Sequence, residues 1–179
     1  MLNDILEETQ PFPNRLVVTD DPEVEEVARR FGCSLVGDPG TGLNDALEAG
    51  TESAMEAGAA SLLVLPSDVP LVQMEDISAL FSYSEPVVIA ASPDGGTNGL
   101  LRRPPDAVDT RYGPLSAEEH RQSAEKAGLE WRIVALTSLT LDVDGPDDLA
   151  RLAASSVERD SVAVARALLE DARSAQPSP

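Results

Sequence analysis

The feature that most constrains this chain is an alternation. Short apolar, β-branched runs recur between longer stretches whose apolar residues have helical spacing, through most of the 179 residues. Arg15 to Thr19, Ser34 to Val36, Ser61 to Leu65, Pro86 to Ala91, Gly99 to Arg102 and Arg132 to Leu136 read as strands, with Leu139 to Val143 as one more. Pro22 to Phe31, Gly42 to Gly58, Met74 to Phe81, Ser116 to Ala127, a segment opened by Pro146 and Ser161 to Ala172 read as helices. Such an order buries its apolar surface most simply by laying helices over a largely parallel sheet. Ser61 to Leu65 is almost wholly apolar, which predicts a central strand covered on both faces. The expected fold is α/β, one domain over residues 1–172, with a flexible polar tail over 173–179. Ligands of such folds bind beyond the carboxyl ends of the strands.

Charge narrows the partners. Thirty-two acidic residues face 13 basic ones, a net charge of −19. That balance argues against nucleic acid and against anionic membranes, both of which require basic surface. An anionic small molecule would need local help from a metal ion, a helix N-terminus or one of the few arginines. Cys33 is the only cysteine, so no internal disulfide and no cysteine-based metal site can form. No apolar run is long enough to cross a bilayer, and Met1 to Gln10 is acidic rather than signal-like, so a cytoplasmic protein is expected.

Five segments carry residues suited to chemistry, and each also has a plain structural explanation. Leu65-Pro66-Ser67-Asp68-Val69-Pro70-Leu71 delivers Asp68 to the end of a strand between two stiffening prolines. A rigid carboxylate there suits Mg²⁺ in phosphoryl or nucleotidyl transfer, or else caps the following turn. Asp94-Gly95-Gly96-Thr97-Asn98-Gly99 combines glycines that permit close backbone approach with two side-chain donors, or is an ordinary inter-strand loop. In Tyr112-Gly113-Pro114-Leu115-Ser116-Ala117-Glu118-Glu119-His120, Ser116 and Glu119 form a capping box, which predicts a helix start able to hold an anion. Gly113 would let the backbone come near that anion. His120, the only histidine, sits one turn in, either as a phosphate contact or as a surface residue. Leu141-Asp142-Val143-Asp144-Gly145-Pro146 places two carboxylates two residues apart, on one side of an extended segment. They repel unless a cation lies between them, although Asp144 could simply cap the helix that Pro146 opens. Gly42-Leu43-Asn44-Asp45 is a loop-to-helix junction whose Asn44 could bond a base or ribose.

Together and in this order, the stretches GLNDAL at 42–47, LPSDVPL at 65–71, DGGTNGLL at 94–101, YGPLSAEEH at 112–120 and LDVDGPDDL at 141–149 resemble one family. It is the guanylyltransferases of coenzyme F420 biosynthesis, which use phosphoenolpyruvate or 2-phospho-L-lactate. The resemblance implies a Rossmann-like nucleotidyltransferase fold of the nucleotide-diphospho-sugar transferase type. It implies transfer of GMP from GTP to the phosphorylated acid, with loss of pyrophosphate. It further implies Mg²⁺ on Asp68, Asp142 and Asp144, the acid on Thr97, Gly113 and Ser116, and Asn44 on the nucleotide side. The Ala- and Arg-rich character suggests a bacterial source and favours phosphoenolpyruvate.

The family usually opens with one further strand and a loop bearing lysine and arginine. Here Met1 to Glu8 resembles only the end of the helix that follows them, so exposed sheet edges and weak activity are expected. Two other readings remain at this point. One is a related nucleotidyltransferase with another phosphorylated acceptor, such as the molybdenum-cofactor type. The other is a non-catalytic relative that binds a partner enzyme.

Overall fold

Local chemistry sets most of the element boundaries in the computed structural model, which describes residues 1–174. In chain order they are α1 (Leu2–Glu8), β1 (Leu16–Val18), α2 (Pro22–Arg30), β2 (Ser34–Val36), α3 (Leu43–Glu56), β3 (Leu62–Val64) and α4 (Met74–Ser82). There follow β4 (Val87–Ala91), β5 (Thr97–Arg102), α5 (Ser116–Lys126), β6 (Trp131–Val134), a 3-10 turn (Thr137–Leu139), α6 (Pro146–Ala153) and α7 (Asp160–Ser174). Asp21 caps α2 by accepting from the Glu23 N–H at 2.8 Å, with Pro22 in the first helical position. The buried side of α3 is made of Ala46, Gly50, Thr51 and Ala54. These small residues let the helix sit close on β1: a Cβ on Gly50 would stand 3.0 Å from Val18 Cγ2.

Two sheets form. β1 and β2 pair in parallel, and the second sheet has the order β3-β5-β4-β6. β5 runs antiparallel to both β3 and β4, while β4 and β6 are parallel. The sheet is therefore mixed, where strand–helix alternation predicted a mostly parallel one. The reason lies between β4 and β5, where no helix intervenes. Residues 92–96 close a tight turn, with Ser92 N–H donating to Gly96 O at 3.0 Å and Gly95 N–H to Ser92 O at 3.1 Å. So short a connection can only reverse the chain, since parallel neighbours need a crossover.

Three further expectations change. β3 stands at the end of its sheet and is half-buried, whereas β4 and β5 hold the most buried positions. An apolar run reports burial of side chains but not the place of the strand in the sheet. Leu139 to Val143 is not a strand: it starts in the 3-10 turn and continues without regular structure. α7 extends through Ser174, so Arg173 and Ser174 belong to that helix rather than to a tail, and residues 175–179 lie outside the described part. No described helix is long and apolar enough to cross a membrane.

Side chains on β4 alternate between two cores. Val88 and Ala90 join Ile77, Leu80, Leu101 and Leu139 on one face, while Val87 and Ile89 join Leu100, Ala117 and Ala124 on the other. Arg102, at the end of β5, is fully buried. Its guanidinium donates to Val108 O and to Thr51 Oγ1, each at 2.8 Å, so it pins β5 to α3 and to the loop that follows β5. Replacing Arg102 by Met strands both acceptors. The expected cost is about 2–4 kcal/mol, measured as a lowered urea midpoint at neutral pH. An unchanged midpoint would mean that the guanidinium only balances its own desolvation.

Candidate active site at the sheet edge

Strand register assembles the site. Val64 stands opposite Leu100, and Ala91 opposite Thr97. The carboxyl ends of β3 and β4 therefore meet the amino end of β5 along one edge. Asp68 follows β3, residues 92–96 form the turn after β4, and Thr97 is the first residue of β5.

Two backbone ties bring the remaining aspartates to that edge. Asn98 Nδ2 donates to Leu139 O at 2.9 Å, and Val143 N–H donates to Asp68 O at 3.0 Å. The segment bearing Asp142 and Asp144 is thus clamped at one end to β5 and at the other to Asp68. Asp68 Oδ1 is buried without a hydrogen-bond partner among the described residues. Burial pushes the Asp68 carboxyl above the usual carboxylate range, and the negative charges of Asp144 and then Asp142 push it further. Of the two, Asp144 exerts the greater effect on Asp68. The expected extended pairing of Asp142 and Asp144 does not occur, since both lie in an irregular stretch, Asp142 half-buried and Asp144 exposed.

Among the described residues, no three acidic, histidine or cysteine side chains gather closely enough to form a metal cage. The donors nonetheless suit Mg²⁺, which commonly takes one or two protein carboxylates and completes its octahedron with phosphate oxygens and water. A desolvated carboxylate oxygen with no partner, repelled by two neighbouring acids, is what such a cation would relieve.

A second cluster forms where α5 meets β5. Thr97, Ser116 and His120 are all buried. Ser116 Oγ lies 3.0 Å from Thr97 Oγ1, and His120 Nδ1 lies 3.1 Å from the same oxygen. His120 Nε2 accepts from the Arg111 N–H at 3.0 Å. The edge of one ring faces the other in the Tyr112–His120 pair, with centroids 5.2 Å apart. Burial, with the Arg102 and Arg111 guanidinium groups adding to it, holds the His120 pKa down to about 4. His120 is thus neither a surface residue nor a phosphate contact. Both of its nitrogens are taken by protein, and it is uncharged near neutral pH.

The start of α5 also departs from expectation. The helix does begin at Ser116, but the N-cap position is Leu115 and no side chain caps it. Ser116 turns its hydroxyl to Thr97 instead. The first N–H groups are already used: Ser116 donates to Gly113 O at 3.2 Å, Ala117 to Gly95 O at 3.1 Å and Glu118 to Leu115 O at 3.0 Å. Little of the expected helix-start anion site is left. Gly113, exposed and with φ 147°, keeps an N–H without a partner among the described residues. Leu115 holds a left-handed φ of 56°, a sparsely populated conformation for a leucine.

Asn44, expected on the nucleotide side, is occupied. Its Oδ1 accepts from Tyr112 N–H at 2.7 Å, and its Nδ2 donates to Tyr112 O at 3.1 Å. Two of the glycines in 95–99 have structural partners as well. A Cβ on Gly96 would meet Ser92 Oγ at 2.7 Å, and one on Gly99 would meet Ala90 Cβ at 3.2 Å. The sequence reading missed the parts of Asn98 and of the Arg111 backbone. Asn98 sat in plain view beside Thr97, but nothing local marks an amide that clamps a segment 41 residues away.

Comparison with known proteins identifies the family and the fold. The family model described as "Guanylyl transferase CofC like" matches residues 1–170. A phosphoenolpyruvate guanylyltransferase of Rubrobacter xylanophilus is 44% identical over 144 residues, covering 78% of this chain and 70% of that one. A 3-phospho-D-glycerate guanylyltransferase of Colwellia psychrerythraea is 30% identical, covering 80% and 70%. Among solved structures, a protein of Desulfovibrio desulfuricans G20 described as a nucleotide-diphospho-sugar transferase superposes with a TM-score of 0.75. That match has 18% identity and covers 98% of this chain and 83% of that one. The fold is thus that of nucleotide-diphospho-sugar transferases, and the chain belongs to the CofC-like guanylyl transferase family.

Proposed function

We propose that this chain transfers the guanylyl group of GTP to a small phosphorylated acid, phosphoenolpyruvate in the first instance, releasing pyrophosphate on the way to coenzyme F420. The observation that carries the reading is the edge itself. A half-buried Asp68 carboxylate, with one buried oxygen that has no partner among the described residues and two acids nearby, shares one sheet edge with a cluster of buried hydroxyls. Phosphoenolpyruvate is preferred to 2-phospho-L-lactate and 3-phospho-D-glycerate because a relative at 44% identity carries its name.

In this reading a phosphate oxygen of the acid forms a bond to the α-phosphorus of GTP, and the bond from that phosphorus to the β-phosphate bridging oxygen breaks. Mg²⁺ held by Asp68, with Asp142 and Asp144 nearby, would supply charge neutralisation on the phosphates. The nucleophile is already an anion, so no general base is required. The neutral, fully hydrogen-bonded His120 is consistent with that. Thr97, Ser116 and the bare backbone of Gly113 bind and orient the acid, so the chain's own contribution is alignment. Asn44 acts at one remove, holding the Tyr112 backbone in place beside Gly113. The sheet edge and the net charge of −19 suit two small anionic substrates rather than a polymer or a bilayer.

Pyrophosphate release with GTP, Mg²⁺ and each of the three acids tests the proposal directly. Release that requires GTP and one acid, and that falls by about 10²-fold or more in Asp68→Ala, is the expected result. Release that is indifferent to the acid, or to Asp68, would overturn it.

Asp68 should also trade stability for function. Asp68→Asn removes a desolvated, repelled charge, and in a metal chelator it should raise the melting temperature by about 2–4 °C, the shift that about 1 kcal/mol gives a chain of this size. Added Mg²⁺ should raise the melting temperature of the wild type and leave that of Asp68→Asn unchanged. Equal Mg²⁺ responses would place the cation elsewhere.

A further inference from the structure

The hydrogen-bond count around Thr97 fixes more than the positions of three side chains. The Arg111 backbone N–H can only donate, so His120 Nε2, 3.0 Å away, must be an unprotonated acceptor. In the neutral ring the proton then sits on Nδ1, and Nδ1–H donates to Thr97 Oγ1 at 3.1 Å. Thr97 and Ser116 bring two hydroxyl protons to this cluster, and only one of them is used in the bond between them at 3.0 Å. If Ser116 donates, the Thr97 proton is left over. If Thr97 donates, the Ser116 proton is. Either way one hydroxyl proton has no acceptor among the described residues.

We infer that His120 is a positioning residue: by filling a Thr97 lone pair with its Nδ1 proton, it turns the Thr97–Ser116 pair into a one-way donor for an anionic oxygen of the phosphorylated acid. The inference rests on the functional reading above, in which these two hydroxyls face that substrate. Without the histidine, each hydroxyl could rotate to accept as well as donate, and the pair would have to reorganise at every binding event. With it, the donor is set in advance and is selective for an acceptor-only group, a carboxylate or phosphate oxygen rather than an alcohol. The surroundings hold the ring in that state. Tyr112 packs against it edge-to-face, the guanidinium groups of Arg102 and Arg111 oppose a positive ring, and the ring is buried. His120 reaches the chemistry only through Thr97.

Two substitutions separate the two nitrogens. Asn at 120 places an amide where Nδ1 stands and can still donate to Thr97, but does not reach Arg111. Gln at 120 places its amide near the Nε2 position and can still accept from Arg111, but leaves Thr97 without its donor. In His120→Gln the KM for the acid should rise about tenfold or more, with the KM for GTP little changed. His120→Asn should stay close to the wild type in both. An active wild type in which the two variants raise the acid KM alike, or in which His120→Asn suffers more, overturns the inference alone. A wild type that releases no pyrophosphate with any acid overturns the functional reading, and the inference with it. Independently of folding in the variants, the imidazole nitrogen NMR spectrum of the wild type reports on His120 alone, since it is the chain's one histidine. A proton on Nδ1 is expected, and a proton on Nε2 would overturn the assignment.

Discussion

Everything at the candidate site depends on β5 running backwards between β3 and β4. Because β5 is antiparallel to both, its first residue meets the last residues of its two neighbours, and Thr97 lands on the edge where Asp68 emerges. Had β5 been joined to β4 by a crossover helix, its amino end would lie at the opposite edge, away from every aspartate. The turn at 92–96 enforces the reversal, and it tolerates no bulk: a side chain on Gly96 would collide with Ser92 Oγ. The glycines in this stretch thus serve the turn and the packing of β5. Their effect on function is indirect, since they fix the direction of the strand that carries the hydroxyl.

From that reversal a lattice of long-range ties follows. Asn98, next to Thr97, clamps Leu139, and the far end of the same segment is held by Asp68. At the other end of β5, Arg102 reaches α3 through Thr51. α3 in turn carries Asn44, which grips the Tyr112 backbone beside Gly113. One strand therefore positions the acidic cluster from its start and the Tyr112–Gly113 loop from its end. Removing one of these ties should disturb the opposite side of the site through β5, even though no single contact spans it.

Most elements were legible in the sequence, although the strand it suggested at Leu139 to Val143 does not form, and their relations were not legible. The helices from Pro22, Pro146 and Ser116 were visible because capping chemistry and apolar periodicity are local. The direction of β5 was not, because a six-residue strand carries no mark of its partner's orientation. Ser116 and Glu119 satisfied the pattern of a capping box, yet the Ser116 hydroxyl found a better partner in Thr97, 19 residues earlier in the chain. His120 was misread for a similar reason. One turn into a helix with acidic neighbours, it looks exposed, and only the fold reveals that this face of α5 lies against β5. The five motifs in order did identify the family, because order along a chain is preserved when the contacts behind it cannot be read.

The charge balance takes on a sharper meaning at the site. Several of the arginines are engaged by the protein itself: Arg102 is buried, Arg103 bonds backbone carbonyls of Phe81 and Glu85, and Arg121, Arg132 and Arg159 are paired with glutamates. The start of α5, the obvious neutral source of positive potential, has its first N–H groups satisfied by protein carbonyls. The neutral donors left at this edge are a hydroxyl of the Thr97–Ser116 pair and the Gly113 N–H, which has no partner among the described residues. The fixed positive charge that stands beside them is Arg111, next to Tyr112 and Gly113, exposed and paired, among the described residues, only with the exposed Asp109 at 3.1 Å. In a chain of net charge −19 the charge of Asp68 is itself opposed, by burial and by Asp144 and Asp142, so a cation at this edge would relieve a repulsion that the fold maintains.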